Sequence, residues 1–360
     1  MNNKMTTPFK ITKAHIKLLE SLSNASGISG NEAEIRAIIR KEIKAHVDEI
    51  KVDAMGNLLA LKHAKTANPV KVLVASHMDE IGFMVVNEDT DGLFSFETVG
   101  GVDERQLLAK MVTVGKDKIP GIIGNKPIHL LESGEIHNIV NTQAMRIDVG
   151  PANSSKVKVG DYAAFATKFQ QTGSTVTGKA LDDRLGVASL IELTKNIPDN
   201  IEFMAAFTVQ EEIGLRGARV AAYTFQPDFA FALDSTPAID MPRPDGEENV
   251  QYNCRLGAGP AIYLADAGTI SDPRLVRFLT GIADKNAVPY QFRQPGGGGT
   301  DAGSLHKTGA GIPTVSVSIP GRYAHTAIMM ARVPDWENTI RLMYLMLQNI
   351  SRDLLAVDRS

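Results

Sequence analysis

The sequence predicts an α/β protein: a three-layer domain on a mixed sheet, interrupted by a small inserted all-β barrel. Three observations carry this. Short continuous apolar runs, such as Val72-Leu73-Val74-Ala75 and Phe203-Met204-Ala205-Ala206-Phe207-Thr208-Val209, read as strands covered on both faces. They alternate with helical stripes, as a sheet with helices on both sides requires. From 82 to 176 the texture changes: β-rich runs (FMVVNE, LFSFETV, KMVTVG, IPGIIG, MRIDVG, DYAAFAT) are broken by Gly, Pro, Asn and Asp about every 8–12 residues, with no helical stripe. The expected division is therefore 1–81 and 177–360 for a discontinuous α/β domain and 82–176 for the barrel. At roughly 150 residues per domain, 360 residues suit two such units.

Taken in order, 12–24 carries Ile16, Leu18, Leu19 and Leu22 at helical spacing, and Ile35, Ile38, Ile39 and Ile43 form a second stripe. Ser29-Gly30-Asn31-Glu32 fits the S-x-x-E capping box, which places that helix start near Ser29. Residues 52–60 read as a hairpin with Gly56 and Asn57 at its turn. After the barrel, a helix is expected over 182–196. Strands are expected at 203–209, 229–233 and 314–319, and a C-terminal helix over 335–354. No repeat is present, and Gly296–Gly299 is the one low-complexity tract.

Composition removes several function classes. Lys+Arg is 38 and Asp+Glu 41, so the formal charge is −3, which argues against nucleic acid as a partner. The chain is 43% hydrophobic and 22% charged, ordinary for a soluble globular protein. Cys254 stands alone, which excludes an internal disulfide and a Cys-rich zinc site. No apolar run approaches the roughly 18 residues of a membrane span, and the N-terminal segment lacks the apolar core of a secretory signal. The expectation is a soluble, cytoplasmic protein with no membrane partner.

The chemistry lies in where the acids and histidines fall. Four buried-type strands end in possible ligands: His77 and Asp79, then Glu211-Glu212, then Asp234, then His325. Asp182 opens the helix after the barrel. In open α/β sheets, sites form outside the carboxyl ends of the strands, and hard or borderline donors gathered there suit one or two divalent cations. Each piece alone has a plainer reading: a strand-end Asp as turn residue or helix cap, a lone His as satisfied core, Glu-Glu as a solvated pair. Asp183 reads as a helix cap. His77 and His325 stand apart from the other histidines because both close apolar strands. Adjacent carboxylates at a strand end point in different directions, so one can bind metal while the other takes a proton from a nearby water. In His77-x-Asp79, an extended backbone puts both side chains on one face, where Asp79 can accept from the second ring nitrogen of His77.

Several blocks together resemble a known family. They are Ser26–Glu32 (SGISGNE), Asp53–Leu58 (DAMGNL), Ser76–Phe83 (SHMDEIGF), Lys179–Gly186 (KALDDRLG), Thr208–Gly214 (TVQEEIG), Ala232–Asp234 (ALD), Gly298–Gly303 (GGTDAG) and Arg322–His325 (RYAH). In order and spacing, across essentially the whole chain, they are similar to the TET-type dinuclear metallo-aminopeptidases, which include the glutamyl and deblocking aminopeptidases of peptidase clan MH. The resemblance implies a metallopeptidase catalytic domain with an inserted β domain that dimerises. It implies that Asp182 bridges two metals, with His77 and Asp234 completing one site and Glu212 and His325 the other. Glu211 is then the general base acting on a water between two divalent cations, and Asp79 orients His77. The cations implied are zinc or cobalt, with manganese suited to the same donors. The implied substrate is a short peptide with a free N-terminus, and the implied assembly is a homo-oligomer, dimers building a hollow dodecamer.

This chain has Asp183 where many relatives have Asn, and a long polar segment, 236–259, follows the Asp234 strand. The Gly296–Gly299 run lacks the Gly-Lys-Ser/Thr ending of a phosphate loop. It reads either as close backbone approach to the site or as a plain flexible loop. Rival readings are a deacylase or carboxypeptidase on the same scaffold, a glycoside hydrolase, which normally needs two carboxylates flanking the sugar bond, and a non-enzymatic assembly subunit.

Overall fold

The computed structural model describes residues 9–359 except 133, 135, 136, 248, 250–253, 295 and 296. Helices α1 (Lys13–Asn24) and α2 (Ala33–Ile43) precede the hairpin β1 (Glu49–Val52) and β2 (Leu58–Lys62), then β3 (Val70–His77). Next come β4 (Gly82–Thr90), β5 (Leu93–Val99), β6 (Met111–Val114), β7 (Ile119–Gly124), β8 (Arg146–Asp148) and β9 (Tyr162–Phe165). They are followed by β10 (Gln170–Thr172), β11 (Thr175–Gly178), α3 (Leu181–Lys195), β12 (Ile201–Thr208), α4 (Arg216–Phe225), β13 (Phe229–Pro237) and β14 (Ala261–Tyr263). The chain finishes with α5 (Pro273–Lys285), β15 (Gln291–Arg293), α6 (Ala302–Leu305), β16 (Thr314–Arg322), β17 (Met329–Arg332), α7 (Val333–Asn349) and α8 (Asp353–Ala356).

The large sheet runs β1-β2-β12-β3-β13-β16-β17-β11-β10, with β14 pairing β16 and β15 pairing β14. Its centre, β12-β3-β13-β16, is parallel, and both flanks are antiparallel. Alternation sorts the central residues to two faces. Val72, Val74, Phe229, Phe231 and Leu233 pack with α1, α2, α3, α5 and α7. Leu73, Ala75, Ala230 and Ala232 pack with Ala218, Ala221 and Ala222 of α4 and with α6. Alanines meet alanines on this second face, so α4 lies close. These are the three layers.

Strands β4-β5-β8-β7-β6-β9 close a six-stranded barrel. Its core includes Phe83, whose ring meets Phe96 and Phe165 edge-on at 5.2 Å each. The chain rejoins the large sheet early: Gln170–Thr172 already pairs with β11, which pairs with β17.

Two local expectations fail for physical reasons. The second helix starts at Ala33, not near Ser29, because the Ser29 hydroxyl is drawn to Asp79 instead of capping the helix, and the Glu32 carboxylate turns back to accept from Gly30 N. The C-terminal helix stops at Asn349, where Ile350 turns extended, rather than running to 354. The sequence pattern also missed α4 and α5. Asp272 caps α5 by accepting from Arg274 N at 2.9 Å, with Pro273 at the first helical position.

Candidate metal centre

The site opens at the carboxyl ends of the four parallel strands. His77 is the last residue of β3 and is 2% exposed. Asp234 lies within β13, between β3 and β16. Asp182 stands at the entry to α3, with extended rather than helical backbone, and the Asp182–Asp183 peptide is cis. His325 follows β16 with φ +58°. Glu211 and Glu212 are not on the end of β12, as their run of preceding apolar residues implied. The strand ends at Thr208, Gln210 takes φ +57°, and the pair sits in the turn leading to α4.

These residues form two groups sharing Asp182. In the first, His77 Nε2 lies 3.5 Å from Asp182 Oδ1 and 3.6 Å from Asp234 Oδ1. In the second, His325 Nε2 lies 3.5 Å from Glu212 Oε2 and 3.8 Å from Asp182 Oδ2. Within each group one donor atom per residue falls within 4.8 Å of the others. Such separations are longer than hydrogen bonds. They fit donors each about 2.0–2.2 Å from a shared cation, and the mix of imidazole and carboxylate suits a borderline divalent ion.

The electrostatics agree with that fit. Burial pushes Asp234 up to about 6 and Glu212 up to about 8, and neighbouring acids add to both shifts. Burial likewise raises Glu211 well above the usual carboxylate range, with Asp234, Glu212 and Asp301 reinforcing it. Burial alone lowers the pKa of His77. The charge of Glu211 and the carboxylates of Asp182, Asp234 and Asp79 outweigh it and hold the ring well above its ordinary value. Like charges so close cannot all ionise without cations.

The outer contacts fix orientation. His77 Nδ1 is 3.2 Å from the main-chain oxygen of Asp79 and 3.6 Å from its carboxylate. The nearer acceptor is therefore the backbone, because the strand does not continue through Asp79. His325 Nδ1 meets Gly101 O at 2.9 Å, a carbonyl from the loop after β5, so the barrel's own loop holds a residue of the site. Asp183 stays out of both groups. It accepts from Ser76 Oγ at 2.5 Å and Gly186 N at 2.9 Å, which is the helix-capping role its position suggested.

A cleft of about 90 Å³ is lined by His77, Asp182, Glu211, Glu212, Asp234 and His325 together with Tyr263, Arg293 and Gly297–Gly299. Gly296 lies outside the described residues, but Gly297–Gly299 does approach the site. Three neighbours were missed from the sequence. Tyr263 and Arg293 pair across the ends of β14 and β15, with the guanidinium 5.5 Å from the ring centroid. Asp301 is buried behind Thr208, accepts its hydroxyl at 2.5 Å, and is pushed up to about 7 by burial. Its Thr300-Asp301 step after a glycine run was the available signal.

The polar segment after β13 is pinned at its start and end. Asp240 pairs with Arg322 at 2.6 and 3.0 Å, and the Asp335 carboxylate accepts from Gly257 N and Gly259 N. Residues 248 and 250–253 of it lie outside the described residues. Cys254 is buried with its thiol pushed up to about 12, which makes it a poor nucleophile.

Comparison with known proteins places this geometry. A family model described as M42 glutamyl aminopeptidase matches residues 56–342. The lysyl aminopeptidase of Pyrococcus furiosus is 32% identical over 346 residues, spanning 93% of this chain and 97% of that protein. The crystal structure of a TET aminopeptidase from a marine-sediment Thaumarchaeota archaeon superposes with a TM-score of 0.89 at 32% identity, covering 96% of this chain and 99% of the other. The TET1 peptidase of Pyrococcus horikoshii, described as assembling into a tetrahedron or a large octahedral shell, matches with a TM-score of 0.81 at 33% identity, covering 93% and 100%.

Proposed function

The chain belongs to the M42 glutamyl aminopeptidase family and is a peptide hydrolase of the aminopeptidase kind, and from that premise we propose that it is a dinuclear metal-dependent enzyme releasing N-terminal residues from short peptides. The observation that carries this is the pair of donor groups joined at Asp182, with Glu211 beside them in the same cleft. His77, Asp182 and Asp234 hold one divalent cation and Asp182, Glu212 and His325 the other; zinc and cobalt suit the donors best and manganese is accommodated. Bound there, such ions supply Lewis acidity, polarising a scissile carbonyl and acidifying a nearby water.

The remaining chemistry belongs to the chain. Glu211 lines the cleft next to Glu212 but joins neither donor group. It is free to take the water proton as general base and to return it to the leaving amine. Asp79 holds the main-chain N–H groups of both glutamates. With the scissile carbonyl polarised at one cation site, the free N-terminal amine of the substrate would sit near the other, which accounts for removal of terminal residues. We divide the chain into a catalytic part and an inserted barrel, 1–81 with 177–360 and 82–176 as the sequence suggested, except that 170–176 goes with the catalytic sheet to which β10 and β11 belong. We assign the barrel to self-association, by likeness to relatives that form closed shells. Its outer face exposes Met111 and Ile122 as a cross-strand pair, and light scattering on the purified chain reads the assembly directly.

The test is release of amino acids from unblocked peptides and aminoacyl anilides, with chelator and with zinc, cobalt or manganese restored. Activity that needs a free N-terminus, stops with chelator and returns with metal supports the reading. Activity on N-acylated substrates only moves the protein to a deacylase. Chelator-resistant sugar hydrolysis removes the metal reading altogether.

A further inference from the structure

Ser29 sits in the loop between α1 and α2, 3% exposed, and its Oγ donates to Asp79 Oδ2 at 2.6 Å. Asp79 is fully buried, and its carboxylate is shared. Oδ1 accepts Glu211 N–H at 3.0 Å, Oδ2 accepts Glu212 N–H at 3.1 Å, and His77 Nδ1 is 3.6 Å from Oδ1. One carboxylate thus ties three distant segments: the N-terminal loop, the end of β3 and the turn after β12. The loop that brings Ser29 is itself anchored. Ile28 forms a parallel bridge with Glu80, Glu80 N donates to Gly27 O at 2.9 Å, and Gly27 N donates to Glu80 Oε1 at 3.0 Å.

We propose that Ser29 is a positioning residue for the aminopeptidase reaction: by fixing the Asp79 carboxylate it sets the spacing between His77 and the Glu211–Glu212 turn. The terminal torsion of an aspartate is broad and roughly two-fold, so the carboxylate's own preference does not hold both oxygens on the two amides. The Ser29 hydroxyl supplies the direction. The inference rests on the dinuclear reading above, and its test separates the two.

Cobalt titration followed by visible absorption reports each site's affinity independently of turnover. In Ser29→Ala we expect one of two cobalt ions to bind about 10–100-fold more weakly, as loss of groups behind a ligand typically does, and kcat to fall by a similar factor with KM within about twofold. Ser29→Thr keeps the hydroxyl and restores both. Thr194→Val removes a buried hydroxyl bonded to Leu190 O, remote from the site, and leaves cobalt affinity and kcat unchanged whatever it does to melting. If Ser29→Ala does not fold, Ser29→Cys keeps bulk with only a weak donor and carries the same expectation of weakened cobalt binding. Wild-type protein that binds no cobalt overturns the metal reading and this proposal with it. Wild-type binding of two cobalt ions, with the Ser29 variants matching it in affinity and kcat, overturns this proposal alone.

Discussion

At Glu211 two requirements meet in one residue. Its side chain lines the cleft among other acids, and its main-chain N–H is tied to Asp79. The first gives the carboxylate a raised proton affinity, with burial the largest cause. The second holds it where a base is useful without using its oxygens. Glu211→Gln keeps the shape and the backbone bond but cannot accept a proton. We expect kcat to fall by about 10²–10⁴-fold, the usual weight of general base catalysis, while metal content by elemental analysis stays at the wild-type level. Turnover within a few-fold of wild type would falsify the assignment of Glu211 as base. Glu212 differs from its neighbour by one position and is placed 3.5 Å from His325 Nε2, which is why the two are not interchangeable.

Among elements, the turn between β12 and α4 decides the site's shape. Val209 N donates to Asn57 Oδ1 at 3.0 Å, Asn57 Nδ2 donates to Gly217 O at 3.0 Å, and Gly217 N donates to Val209 O at 3.0 Å. The β1–β2 hairpin thereby grips the start of α4 from below. A Cβ on Gly217 falls 2.3 Å from Asn57 Oδ1 and 2.5 Å from Val209 O, so only glycine permits this approach. Gly217→Ala should destabilise the protein by about 1–3 kcal/mol, as overpacking does, and lower kcat because the displaced turn carries Glu211. Thermal melting beside kcat checks both, and an unchanged melt would mean the turn relaxes freely. Non-glycine residues flanking the site, Ala180, Gln210, Leu215, Tyr323 and His325, all take positive φ. Such backbone is unfavourable by order 1 kcal/mol or more each and persists where surrounding packing over-determines it.

For the whole molecule, the cluster makes stability depend on metal and pH together. In the metal-free protein Asp234, Asp301 and Glu212 are raised to about 6, 7 and 8, and Glu211, His77 and His325 are raised as well. A raised carboxylate binds its proton in the folded state after the unfolded chain has released it, and a raised histidine does likewise. The sign is therefore the same for all six: folding is favoured at low pH, the advantage of Asp234, Asp301 and Glu212 is lost as pH climbs from about 4 to 8, and that of the two histidines only as pH rises above 6.5. Asp79 and Asp182 are lowered, and their contribution changes only below that window. Chelated protein should melt at progressively lower temperature across it. Protein with divalent metal should melt higher and vary less, since cations replace protons as partners of the acids. Calorimetry at several pH values, with and without chelator, measures this, and parallel curves would count against a metal centre here. Among the described residues no helix is long and apolar enough to cross a membrane.

What the sequence determined by itself is what depends on local pattern. Apolar runs place the central strands, turn-broken β texture places the barrel, and residue type marks His77, Asp182, Glu211, Glu212, Asp234 and His325 as chemically unusual where they stand. Periodicity and side-chain chemistry are written residue by residue, so they survive without coordinates. Tertiary structure alone decided which of those residues face each other, because Asp182 meets His77 and His325 only after strands far apart in sequence pair. It also decided that Ser29, which satisfies the capping pattern, serves Asp79 instead, and that a barrel carbonyl, Gly101 O, orients His325. A hydrogen bond goes to whichever acceptor is nearest in the folded chain, and for these groups that acceptor lies dozens to hundreds of residues away.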